Sequence, residues 1–115
     1  MEDRFTVHAD QVGDVAVLEV EGAADLGTVP DFADHLWRAV DDGAPRLLVD
    51  LSDARFIDSR MVELLLKAAD RVRLQGGKVV ICCGGESIMQ VLDLCGVSRI
   101  VAVRPTREEA LAALD

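Results

Sequence analysis

Pro45-Arg46-Leu47-Leu48-Val49-Asp50-Leu51-Ser52-Asp53-Ala54-Arg55-Phe56-Ile57-Asp58-Ser59-Arg60-Met61-Val62-Glu63-Leu64-Leu65-Leu66 is the stretch on which the fold of this chain turns. Its first part, Arg46 to Leu51, is a short apolar run opened by Pro45 and closed by Ser52-Asp53, the pattern of a buried strand. Its last part begins a helix. Met61, Leu64, Leu65, Ala68, Ala69 and Val72 recur at helical spacing, and Val62 and Leu66 widen the stripe. Ser59 therefore falls at, or within a residue of, the N-terminus of a long helix with one buried face. Unpaired backbone N–H groups and the helix dipole favour a side-chain oxygen, an anion or a phosphate at such a place. A serine there is a cap, a phosphorylation site, or both.

Upstream of this stretch, Phe5 to Val12 alternates poorly and reads as a peripheral first strand. The turn signal Gly13-Asp14 separates it from a better strand, Val15 to Glu21. Gly22 to Gly27 reads as a loop, and Thr28 as an N-cap with Pro30 and Asp31 in the first turn. The helix that follows carries Val29, Phe32, Ala33, Leu36 and Val40 on one face and stops at Asp41-Asp42-Gly43. Downstream, Gly76-Gly77 ends the Ser59 helix, Lys78 to Cys83 is an apolar strand, and Gly84-Gly85 breaks it. Ser87 with Gln90 forms a capping box for a short helix that Gly96 terminates. Arg99 to Val103 reads as a last edge strand, and Thr106 with Glu109 as a second capping box before an Ala/Leu helix. Strands alternate with helices after the first hairpin, which implies right-handed crossovers and a largely parallel sheet.

The chain has 115 residues, read as one domain over 1–115, and half of them are hydrophobic. Four are aromatic, so the core is aliphatic. A net charge of −9 argues against a nucleic-acid or anionic-membrane surface and suits a basic protein partner. No apolar run approaches a membrane span, and Met1-Glu2-Asp3-Arg4 lacks the pattern of a secretion signal, so the expected location is cytoplasmic. Cys82 and Cys83 are adjacent in a strand and should point to opposite faces. Cys95 falls on the stripe Ile88, Val91, Leu92, Cys95 and reads as a core residue. His8 and His35 share no ligand spacing with the cysteines, so no metal is expected.

Other constellations can be weighed against these readings of Ser59. Hydrolysis lacks Gly-x-Ser-x-Gly and a histidine at the carboxyl end of a parallel strand, so no catalytic residue is assigned. The pairs Gly76-Gly77 and Gly84-Gly85 lack the spacing of a phosphate loop, so no cofactor is expected. Arg71 and Arg73 lie off their helix's apolar stripe and read as a solvated face. Asp25 and Asp58 each feed a helix N-terminus at the same sheet edge, either as caps or as a polar mouth around Ser59.

Leu48-Val49-Asp50-Leu51, Phe56-Ile57-Asp58-Ser59, the helix ending Gly76-Gly77 and Val79-Val80-Ile81 together resemble the STAS superfamily. Within it the chain is similar to the stand-alone bacterial anti-sigma factor antagonists. Gly22-Ala23-Ala24-Asp25 with Thr28 resembles that family's Gly-Glu-Leu-Asp and Thr loop. Val91 to Val97 resembles its Val-Leu-x-x-x-Gly-Leu segment, and Pro105 to Leu111 its closing helix. The resemblance implies an α/β, STAS-like fold: a mixed, four- to five-stranded, mostly parallel sheet with about four helices.

It also implies a non-enzymatic partner switch. The partner would be an anti-sigma factor, a small kinase with a histidine-kinase-like ATPase fold, bound by the unphosphorylated antagonist and released on phosphorylation, with a phosphatase to reverse the mark. Carried over by position, Ser59 is the phosphoacceptor and Asp58 its neighbour, while Asp25 and Thr28 border the docking surface. Arg60 and Met61 complete the expected contact set, although the family places Ser or Ala and then Gly there. That departure favours a second reading, a STAS adaptor within a larger signalling or transporter-associated assembly whose serine is not a substrate. The switch reading expects a monomer or weak dimer.

Overall fold

A computed structural model describes residues 5–24, 27–43 and 46–115. Among these residues five strands, β1 (Thr6–Val12), β2 (Val15–Ala24), β3 (Arg46–Ile57), β4 (Lys78–Cys82) and β5 (Ala102–Arg104), lie side by side in chain order. β1 pairs antiparallel with β2, and every later pairing is parallel. The helices are α1 (Val29–Asp41), α2 (Ser59–Leu74), α3 (Glu86–Leu94) and α4 (Arg107–Ala113). This is the α/β, mostly parallel sheet with four helices that the alternation of patterns implies.

The layering follows from chain handedness. Each parallel connection steps one strand further in the same direction, and right-handed crossovers then put α1, α2 and α3 on one face. Their apolar residues, among them Phe32, Leu36, Met61, Leu65, Val72 and Leu92, form one core with Leu18, Val20, Val49, Leu51 and Ile81 of the sheet. α4 follows the last strand and crosses over nothing, so it is free to take the other face. Ala110 and Leu114 there cover Val15, Val17, Leu48, Val80 and Cys82. Both central strands are buried on two sides, which is why they read as continuous apolar runs.

Several local expectations are corrected. β2 continues through the expected loop to Ala24, and β3 continues beyond Ser52-Asp53 to Ile57. The extension is bulged: Glu19 pairs with Asp50 but Glu21 with Asp53, and Gly22 with Ala54 but Ala23 with Phe56. Each bulge adds one residue to β3 and reverses the side its chain presents; two restore the alternation, so Leu51 and Ile57 both enter the core under α1–α3. Turn-forming residues in this segment thus mark bulges rather than a strand end.

Ser87 does not cap α3. Gly85 is the N-cap, and Ser87 lies inside the first turn. The chain leaving β4 is held against β5 by the bond from Cys83 N to Arg104 O at 2.8 Å, and a side chain at Gly84 would meet Pro105 O at 3.0 Å. That close approach fixes where α3 starts. Cys95 is exposed, not core: α3 ends at Leu94, so the residue after it no longer follows the helical stripe. Cys82 and Cys83 are buried on opposite faces, as their adjacency requires. The last strand is Ala102–Arg104, preceded by a 3-10 turn over Val97–Arg99.

Candidate functional site

β3 delivers the site. Ile57 is buried, and after it the backbone stays extended through Asp58, with φ −108° and ψ 178°. Asp58 is the N-cap of α2: its Oδ1 accepts from the amides of Arg60 and Met61, each at 3.1 Å, and its carbonyl accepts from Val62 N at 3.2 Å. The carboxylate thus satisfies two of the donors that a helix start leaves unpaired and sits where the helix dipole favours negative charge. Because Asp58 does the capping, the Ser59 hydroxyl is not needed for it. Ser59 is the first residue of α2 and is exposed, as is Arg60.

Met61 and Val62 turn the other way. Met61 is 0 % exposed and Val62 3 %, and both pack into the core beneath α2. Met61 is therefore a correction to the expected contact set, since a buried side chain offers a partner no surface. The physical reason is helical geometry: two positions after Ser59 the side chain has rotated about 200° and faces the sheet.

Thr28 stands at the N-cap position of α1, but its hydroxyl donates back to Ala23 O at 3.4 Å and does not cap the helix. Its carbonyl accepts from Asp31 N and Phe32 N at 3.1 and 3.3 Å. Ala23 and Ala24 pair with Phe56 and Ile57, so the chain entering α1 and the chain entering α2 leave the sheet at the same end. The topology thereby brings Thr28 and the Asp58–Ser59–Arg60 corner to one edge. Asp25 lies outside the described residues.

Other expected groups are elsewhere. His8 is in β1, with Nε2 3.1 Å from Glu21 Oε1, and the His35 ring lies 2.9 Å from Asp31 O within α1. Arg71 and Arg73 are exposed as expected; Arg71 lies 4.9 Å over the Trp37 ring and 3.5 Å from Asp41, and Arg73 pairs with Asp70.

Two features escape the sequence. Phe56 is 49 % exposed at the end of β3, three residues before Ser59, an aromatic surface contact of the kind that anchors interfaces. The second lies on the α4 face. Among the described residues Asp50 is the one buried charged side chain, 5 % exposed. Arg107 donates to its Oδ2 from Nε at 3.0 Å and from its terminal nitrogen at 2.8 Å, and from the same terminal nitrogen to Glu19 at 2.7 Å. Asp50 Oδ1 accepts from Ser52 N at 2.9 Å, and Ser52 Oγ lies 3.4 Å from Cys82 Sγ. Burial by itself pushes the Asp50 carboxyl up, but the Ser52 hydrogen bonds and Arg107 outweigh it, so Asp50 titrates below its ordinary range. The signal was a lone carboxylate in an apolar strand, which needs a buried partner.

A family model, the STAS domain, matches residues 6–110 of the chain. The chain belongs to the STAS domain family. The anti-sigma-F factor antagonist RsfB of Mycobacterium tuberculosis is 25 % identical over 112 residues, which span 97 % of this chain and 91 % of RsfB. Among solved structures, an anti-sigma factor antagonist of Mycobacterium paratuberculosis superposes with a TM-score of 0.92 at 24 % identity, covering 99 % of this chain and 97 % of that one. The Bacillus cell fate determinant SpoIIAA in its phosphorylated form shares this STAS fold, with a TM-score of 0.74 at 19 % identity over 96 % of this chain and 100 % of its own. No helix among the described residues of this STAS domain is long and apolar enough to cross a membrane.

Proposed function

We propose that this STAS domain is a cytoplasmic anti-sigma factor antagonist that works by partner switching at Ser59. Unphosphorylated, it binds an anti-sigma factor with a histidine-kinase-like ATPase fold; phosphorylated on Ser59 it is released, and a phosphatase resets it. It has no catalytic role of its own and touches no nucleic acid. One observation carries the reading: Ser59 is exposed at the first position of α2 while the neighbouring Asp58 carries the cap. Its hydroxyl is accessible to a kinase, and modification leaves the cap in place. Relatives such as RsfB, named an anti-sigma-F factor antagonist, support the same reading.

The physics of the mark is favourable. A phosphate of about −1.5 to −2 charge at a helix N-terminus meets the positive end of the dipole, and Arg60 is one residue away to pair with it. The fold then survives phosphorylation and the effect falls on the interface, through bulk and through repulsion from carboxylates on either side. Met61, where the family has glycine, points into the core and so leaves the approach to Ser59 unobstructed.

Affinity capture tests this with wild type, Ser59→Ala and Ser59→Glu as baits, and intact mass on the recovered wild type. The expected result is an ATPase-fold protein held by wild type and Ala but not by Glu, with a phosphate increment on Ser59. Ser59→Glu should keep its stability within about 0.5 kcal/mol of wild type, as surface substitutions do. Equal capture by all three baits without an increment would instead establish the adaptor reading.

A further inference from the structure

The Asp50–Arg107 pair joins two parts of the molecule that share no sequence neighbourhood. Arg107 opens α4 on one face of the sheet, and Asp50 sits in β3 eight positions before Asp58. The two oxygens of Asp50 do different things. Oδ2 is held by two nitrogens of Arg107, whereas Oδ1 holds the amide of Ser52. Ser52 lies within the first bulge, where a step of two residues along β2 (Glu19 to Glu21) faces a step of three along β3 (Asp50 to Asp53). A bulge bends its strand and sets the direction of everything beyond it. Beyond this one lie the second bulge, exposed Phe56, the Asp58 cap and Ser59.

We propose that Arg107 and Asp50 form a positioning latch: Arg107 fixes the Asp50 carboxylate, the carboxylate fixes the Ser52 bulge, and the bulge sets where β3 presents Phe56, Asp58 and Ser59. Coupling passes from the α4 face of the sheet to the docking edge along roughly 20–25 Å of strand. The latch rests on the reading of Ser59 as the docking and modification point only for its functional consequence; its geometry stands without that reading. Two guanidinium nitrogens converge on Oδ2, and this makes the contact a positioning device, because the rigid planar fork fixes the carboxylate's orientation where a lysine point charge would not. Glu19 touches the same guanidinium but not the Ser52 amide, and so supplies an internal control.

The test needs no partner. Amide resonances of Phe56 to Met61 are compared in wild type, Asp50→Asn, Asp50→Ala, Arg107→Gln, Arg107→Lys and Glu19→Gln. Asp50→Ala removes both arms and should shift these resonances most. Asp50→Asn keeps an oxygen for Ser52 N and should shift them less. Arg107→Gln, which keeps a hydrogen-bond donor at a position 36 % exposed, should move them in the same direction as Asp50→Ala, with partial rescue in Arg107→Lys. Glu19→Gln should leave them in place. A tie that is merely structural would lower the melting temperature while leaving Phe56 to Met61 unshifted in both Arg107→Gln and Asp50→Asn, and that outcome overturns the latch. Capture with the Arg107→Gln bait then gives the functional arm, with a several-fold weaker hold on the partner expected. Failure of wild type to capture any partner sinks the switch reading alone, since the resonance shifts are read without it.

Discussion

Met61→Gly introduces the glycine that the family pattern places two positions after the serine, and here it should be strongly destabilising. Met61 is 0 % exposed and contributes to the core beneath α2 together with Leu65, Phe32 and Leu36. Truncating a buried methionine to alanine costs about 2–5 kcal/mol in lost transfer energy and residual cavity. Going on to glycine in a helix adds up to ~1 kcal/mol of backbone entropy, less in the first turn. The sum, about 2–6 kcal/mol, is a large share of the roughly 5–15 kcal/mol that holds a domain of this size together. At about 3–5 °C per kcal/mol for a chain of this length, the melting temperature should fall by roughly 6–30 °C. Met61→Leu, which nearly conserves volume, should cost less than about 1.5 kcal/mol. Urea denaturation of the three proteins, read by circular dichroism, measures both values. If Met61→Gly came within about 1 kcal/mol of wild type, the side chain would not be filling the core, and Met61 would return to the docking surface.

Asp58→Ala should lose about 1 kcal/mol, the worth of an N-cap, while Asp58→Asn keeps an acceptor for the Arg60 and Met61 amides and loses only part of it; equal urea midpoints for Asn and Ala would deny the cap. Asp50 titrates lower folded than unfolded, so its contribution is fully present above the ordinary carboxylate pKa of about 3.9 and is lost as pH falls through the lower folded value. Wild type should therefore lose stability steeply below about pH 4, and Asp50→Asn, less stable at neutral pH, should show a flatter acid limb in thermal melts across the same range. In the folded protein Cys95 alone should react promptly with an aromatic disulfide reagent. Burial pushes the Cys82 and Cys83 thiols up, so these two should react only as denaturant unfolds the chain.

Much of the candidate site was legible because its signals are local. Asp58 and Ser59 fall between an apolar run and a helical stripe, and that junction is where the structure places them. What the local pattern left open was which of the two oxygens caps the helix. Asp58 took the role because the chain stays extended through it and Ser59 is already helical. Thr28, at an equally good-looking cap position, bonds back to Ala23 because its backbone is itself near-helical, φ −109° and ψ −17°, so its side chain is not aimed at the turn ahead. Cap chemistry is readable from residue type; cap geometry depends on the approach of the preceding chain.

The sequence by itself determined the order of elements, the two-sided burial of β3 and β4, and the meeting of helix entries at one sheet edge. These follow from periodicity, from breakers such as Gly76-Gly77, and from the handedness of parallel crossovers, all of which act within a few turns of chain or apply to every such fold. Only the tertiary structure decided that β3 carries two bulges, that Cys95 is surface, and that Asp50 is held by Arg107, 57 residues further along. Each of these depends on a neighbour remote in the chain. A helix end rotates a side chain in or out according to where the helix stops, and a lone buried carboxylate is stable only where some distant cation can reach it.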